Sequence, residues 1–217
     1  QSVMGLEAKK QFEKIGLYPD VIFGPCGGGS SFSGIALPFL GDKLLEDPRA
    51  KNLRCVAVEP ASCPSLTKGV FTYDFGDATG YTPLMKMYTL GHDFMPPGIH
   101  AGGLRYHGTS PIVAQLYHDH LIEAQALPQL KTFEAGVQFA RCEGIIPAPE
   151  SCHGIAAAID EALDCKKTGQ AKNILVCITG HGHFDMTSFE RFLAGELENY
   201  DYPAESVQES LKNLPKF

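Results

Sequence analysis

Apolar residues recur at helical spacing from the first turn, at Val3, Met4, Ala8, Phe12 and Ile15, before Gly16 and Pro19 mark a turn. Asp20-Val21-Ile22-Phe23 then reads as a short buried strand ending at Gly24, with a glycine-rich loop directly after it. Phe32, Ile35 and Phe39 form one face of a helix that Pro38 is expected to kink, and Arg54-Cys55-Val56-Ala57-Val58 reads as a second strand. From Ala61 to Gly108 the chain is rich in Gly, Pro and Tyr with little periodicity, the pattern of functional loops packed over a scaffold. Helical spacing resumes at Pro111 to His118 and at Leu130, Phe133 and Val137, with Pro128 near the start of the second helix, Gly144 beyond its end, and a short strand Ile122-Glu123-Ala124 between the two. Ile155, Ile159 and Ala162 define a helix closed by Gly169. Ile174-Leu175-Val176-Cys177-Ile178 is a continuous apolar run, the best parallel-strand candidate in the chain. Thr187-Ser188-Phe189-Glu190 has a capping-box pattern and is expected to open a helix carrying Phe189, Phe192 and Leu193. This alternation predicts an α/β domain over residues 1–196, three layers with helices on both faces of a mainly parallel sheet, and an acidic tail over 197–217.

Composition narrows the class. The 217 residues are 44% hydrophobic and 20% charged, as in a globular protein. A net charge of -7 without any basic run argues against nucleic acid as a partner. Seven cysteines, an odd number with no Cys-x-x-Cys pair, point to reduced thiols in a cytoplasmic compartment. The apolar stretches fall well short of the ~18 residues of a membrane span, and the start has no signal-peptide core.

The glycine loop is the strongest chemical signal. Gly27-Gly28-Gly29-Ser30 lies where a strand hands over to a helix, the position at which α/β sheets bind anions through unpaired N–H groups and the helix dipole. Three glycines let the backbone approach an anion, and Ser30 and Ser31 add hydroxyl donors. The segment is neither Gly-x-Gly-x-x-Gly nor a Gly-Lys-Ser/Thr P-loop, so a nucleotide is not specified. A tight turn without a ligand is the alternative.

Other residues carry weaker signals. His118-x-His120 falls at a helix end where the two side chains diverge, while His181-x-His183 follows the best strand, where an active-site loop belongs. Either pair is a zinc candidate by residue type alone. Glu143 and Glu150 flank Gly144-Ile145-Ile146-Pro147-Ala148-Pro149 and are candidates for paired acid and base work, although Glu150 at a helix start also suits the dipole. Cys26 beside the glycines is either a reactive thiol or a small buried residue. Ser30-Ser31-Phe32-Ser33-Gly34 does not match a hydrolase nucleophile elbow.

In order along the chain, Gly24-Pro25-Cys26-Gly27-Gly28-Gly29-Ser30, Val58-Glu59-Pro60, Glu143 to Ser151 and Thr179-Gly180-His181-Gly182-His183 resemble the tryptophan synthase beta chain. Leu90-Gly91-His92-Asp93-Phe94 and His100 to Gly108 resemble its second, divergent type. The resemblance implies a fold type II pyridoxal-phosphate enzyme, a homodimeric carbon-oxygen lyase of tryptophan biosynthesis. It would join L-serine, or O-phosphoserine, to indole by β-replacement, in the cytoplasm or in the plastid of a photosynthetic eukaryote, with an alpha chain as a further partner. It places Gly27, Gly28, Gly29, Ser30 and Ser31 on the cofactor phosphate, Ser31 standing where the family usually has Asn. It places Thr179 opposite the pyridine nitrogen, where a neutral partner moderates the electron sink, and gives Glu150 a catalytic place facing the cofactor ring. Arg105 stands where the commoner type has an aspartate near the substrate. Carbonyls around Gly27, Tyr106 and Gly108 are a candidate seat for a monovalent cation.

The family's cofactor-carrying lysine lies in a His-Lys-x-Asn segment, which has no counterpart in this sequence. The resemblance starts partway through the family's chain, so these residues are expected to be a C-terminal half that is inactive without the N-terminal, lysine-bearing half. Two other readings stay open: a non-catalytic module binding phosphate or a partner through the same loop, and a metal-dependent hydrolase using His181 and His183.

Overall fold

The computed structural model describes residues 1–216. Helix α1 (Val3–Lys14) leads into strand β1 (Val21–Pro25), the glycine loop and helix α2 (Ser30–Leu44), followed by β2 (Arg54–Pro60). The short α3 (Ser65–Lys68) precedes β3 (Val70–Phe75) and β4 (Leu84–Thr89), after which come α4 (Pro111–His118), β5 (Glu123–Leu127), α5 (Gln129–Glu143), α6 (Pro149–Thr168), β6 (Ile174–Val176), α7 (Met186–Leu193) and α8 (Ala204–Leu211). The main sheet has the order β5-β2-β1-β6, every pair parallel.

Two apolar cores, one on each face, make the three layers. Ile22, Cys55 and Ala57 of the sheet pack with Phe32, Ile35 and Phe39 of α2 and Val113 of α4. Val21, Phe23, Val56 and Val58 point the other way, onto Ala135 of α5 and Ile155, Ala156 and Ala157 of α6. Alternation of side chains along each strand is what divides the two sets. The α/β expectation, with its mainly parallel sheet, is borne out.

Three local expectations need correction. The 61–108 region contains an antiparallel hairpin, β3 with β4 in the register Val70↔Thr89 to Phe75↔Leu84. Its strands hold mixed residues, with Asp74 and Lys86 inside them, so no clean alternation marks them in sequence. Strand β6 is parallel as expected but lies at the sheet edge, and all three of its residues are half-buried despite the apolar run. The capping box does not form: α7 already begins at Met186, its N-cap is Asp185, and no side chain caps it. Helix α2 runs on through Pro38 to Leu44.

The segment after Glu196 carries α8. Leu197 and Val207 are buried, Ser210 Oγ donates to Asp93 Oδ1, and Asn213 Nδ2 donates to Asp93 Oδ2 at 2.7 Å. No helix among the described residues is long and apolar enough to cross a membrane.

Candidate functional site

The strand order reverses direction between β1 and β6. From β1 the chain crosses over α2 to β2 on one side, whereas β6 on the other side is reached through helices on the opposite face, and crevices at such points are where open α/β sheets bind ligands. The glycine loop leaves the carboxyl end of β1, and Thr179 lies just beyond β6. Strand adjacency brings the two together.

Within the loop, Gly29 is the N-cap of α2 at φ 98, a left-handed conformation open to glycine, and a Cβ there would lie 2.9 Å from Val113 Cγ2. Cys26 N–H donates to Val58 O, and Ser33 N–H to Gly29 O at 2.9 Å. Between them, the N–H groups of Gly27 to Phe32 meet no backbone acceptor among the described residues. Five of these residues, Gly27 to Ser31, line a cavity of about 260 Å³ at the helix N-terminus together with Pro25, Gly103, Leu104 and Tyr106.

The roof comes from residues 100–108. A Cβ on Gly27 would sit 2.8 Å from Leu104 Cα and 2.9 Å from Gly103 O, so the loop and its roof approach as closely as glycine allows. Gly103 N–H donates to Glu150 Oε1 at 2.9 Å, which ties the roof to the first turn of α6. Ser151, next in α6, donates its hydroxyl to Thr179 O at 2.7 Å and accepts from Thr179 N–H at 3.1 Å. Thr179 Oγ1 in turn donates to Ser31 Oγ at 3.3 Å. Gly27, Gly28, Gly29, Ser30, Ser31, Glu150 and Thr179 therefore share one connected site.

The remaining candidates lie elsewhere or play other parts. His118 stacks on Phe71 of the hairpin, ring centroids 4.2 Å apart, and His120 is exposed at φ 58, so the pair diverges. His181 and His183 are exposed with rings 5.0 Å apart. Among the described residues, no three His, Cys, Asp or Glu side chains are grouped as a metal site would need. Glu143 is exposed at the end of α5. Arg105 donates to Pro96 O at 2.8 Å. The Cys26 thiol is buried, and desolvation together with the nearby Glu59 raises its pKa far above neutrality, which makes it a packing residue.

Glu59 was legible only as part of a motif. Its carboxylate is almost wholly buried beneath the cradle and accepts from Leu66 N–H, Thr67 N–H and Thr67 Oγ1 at 3.0, 2.9 and 2.7 Å. Burial pushes it up to about 7 against these donors.

The model of the family "Pyridoxal-phosphate dependent enzyme" matches residues 1–180, the portion that contains the whole site. The chain belongs to that family. Among curated proteins it is similar to the "Tryptophan synthase beta chain 2" of Aquifex aeolicus (strain VF5), 60% identical over 197 residues, 91% of this chain and 45% of the relative. The protein of the same name from Methanosarcina mazei is 57% identical over 91% of this chain and 44% of its own length. The chain thus spans about half the length of the curated relatives it matches. A fungal L-serine ammonia-lyase from Rhizomucor miehei shares the fold at a TM-score of 0.63 and 15% identity, covering 90% of this chain and 55% of that one. The resemblance read from the motifs is borne out, and with it the fold type.

Proposed function

We propose that this chain forms the cofactor-phosphate part of a tryptophan synthase beta-like enzyme, which joins L-serine or O-phosphoserine to indole by β-replacement with pyridoxal phosphate. The observation that carries the reading is the row of N–H groups from Gly27 to Ser31 that meet no backbone acceptor, in residues lining the cavity beneath the 100–108 roof. That donor set suits a dianionic phosphate, which the helix dipole further favours.

In this reading Gly27, Gly28 and Gly29 present N–H groups to the phosphate, and Ser30 and Ser31 add hydroxyls. Thr179 faces the pyridine nitrogen with a neutral hydroxyl, and Glu150 fixes the roof beside the ring through Gly103 N–H. When bound, the cofactor supplies an electron sink for a carbanion next to the substrate nitrogen. The residues of this chain orient it, and the roof excludes water from its phosphate end. Carbonyls around Gly27, Tyr106 and Gly108 are proposed to seat a monovalent cation. The cofactor-carrying lysine is assigned to the part of the protein that the relatives have beyond this half-length, and a homodimer, an alpha-chain partner and a cytoplasmic location belong to the same reading. All seven cysteines are free thiols, which suits a reducing compartment.

The test is calorimetric titration of the intact protein with pyridoxal phosphate and with pyridoxal. The phosphate ester is expected to bind at least tenfold more tightly, and Gly27→Ala to erase most of that difference because its methyl pushes Leu104 and Gly103 away. Equal binding of the two compounds would remove the phosphate from the cradle. Phosphate-dependent binding without tryptophan formed from serine and indole would favour the non-catalytic module.

A further inference from the structure

His100 sits at the start of the roof, and both of its ring nitrogens are engaged by α7. Nε2 lies 3.3 Å from Arg191 Nη1, and Nδ1 lies 2.9 Å from Ser188 Oγ. A guanidinium can only donate, so Nε2 must hold a lone pair, and the single ring proton sits on Nδ1 and is given to Ser188. The backbone N–H of His100 donates to Gln129 Oε1 at 2.8 Å, and Gln129 Nε2 donates to Glu198 O at 2.8 Å, which anchors the same corner to α5 and the C-terminal segment. Arg191 is itself paired with Glu196, Nε to Oε2 at 3.5 Å.

We infer that neutral His100 is a positioning residue, a latch that fastens the roof over the cradle to α7, the helix that follows the Thr179 loop. The inference rests on the cradle being the working site. Only the neutral ring satisfies Arg191; a protonated ring places two cations face to face. The charged groups at this corner are Arg191, which faces the ring, and Glu196 behind it, while Ser188 and Gln129 are neutral. Desolvation first, and Arg191 second, hold the His100 pKa below its ordinary value. The sign follows: with a folded value below the unfolded one, the latch is fully closed above about 6.5 and is lost as pH falls through the lower folded value. Opening frees residues 100–103, and with them the Gly103 N–H bond to Glu150.

The test uses the intact protein without cofactor. His100 is titrated by NMR, and the Gly103 amide protection factor is measured by hydrogen exchange from pH 8 to 5. The expected result is a His100 midpoint below its ordinary value of about 6.5 and a loss of Gly103 protection as pH falls through that midpoint. His100→Gln, whose amide can accept from Arg191 and donate to Ser188, should keep protection and abolish its pH dependence. Arg191→Met should raise the His100 midpoint. Gly103 protection that does not change with pH, or a His100 midpoint unmoved by Arg191→Met, overturns the latch. Because these readouts need no ligand, their failure is distinct from failure of the cradle to bind pyridoxal phosphate.

Discussion

His153 shows how much one side chain in α6 depends on its surroundings. It is 2% exposed, donates from Nδ1 to Pro149 O at 3.1 Å, and is pushed down to about 4 by desolvation. The folded protein therefore holds it neutral. Its contribution to stability is complete above about 6.5, the unfolded value, and is lost as pH falls through about 4, amounting to on the order of 3 kcal/mol over that span. Urea denaturation at pH 7 and pH 4.5 is expected to show this loss, and His153→Gln to reduce it. A pH dependence identical in the variant would mean that other groups carry acid sensitivity. From sequence alone His153 was one helical residue among many. Its burial comes from the packing of α6 on the sheet, which no local pattern announces.

At the scale of elements, those with strong periodicity were legible and those held by distant contacts were not. Helices α1, α5 and α6 follow their apolar spacing, and α5 and α6 end at Gly144 and Gly169 at φ 70 and 71, as their sequences imply. The β3–β4 hairpin is hidden in the sequence because a buried Asp74 stands where an apolar residue would mark the alternation. It accepts from Thr89 Oγ1 at 2.7 Å and lies 2.7 Å from His92 Nδ1, partners that only the fold supplies. Helix α8 was likewise hidden, since Val207 is its one wholly buried apolar side chain. Val207 packs with Cys63, Leu90 and Leu104, the last of these being part of the roof over the cradle. Val207→Ala is expected to cost roughly 2 kcal/mol. It should also raise hydrogen exchange in the 100–108 segment more than in β1. Equal changes in both segments would show that α8 supports the fold in general and the roof in no special way.

For the whole molecule, the distribution of cysteines offers a direct report on the core. Cys26, Cys55, Cys63, Cys152 and Cys177 are buried, Cys165 is half-buried and Cys142 is exposed. Burial pushes Cys55, Cys63 and Cys152 up to about 12, so they are buried and unionised at neutral pH. Mass spectrometry after brief alkylation of the native protein is expected to find Cys142 modified first and Cys165 next. The five buried thiols should react only at the rate of unfolding. Early labelling of Cys26 would place the floor of the cradle in contact with solvent and contradict the packing of β1.

What the sequence determined by itself was local: the strand, loop and helix around Gly27 to Ser31, the alternation that demands a parallel sheet, and the ordered motifs that mark the family. These follow from short-range rules of periodicity, turn preference and the unpaired N–H groups of a helix start. The tertiary structure alone decided what surrounds that loop. Gly103 meets Glu150 across 47 residues, Ser151 meets Thr179 across 28, and Arg191 meets His100 across 91. Such contacts arise because parallel strands deliver their carboxyl ends, and the segments after them, to one edge of the sheet. The position of each partner is therefore a property of the packed layers, which spacing along the chain does not encode.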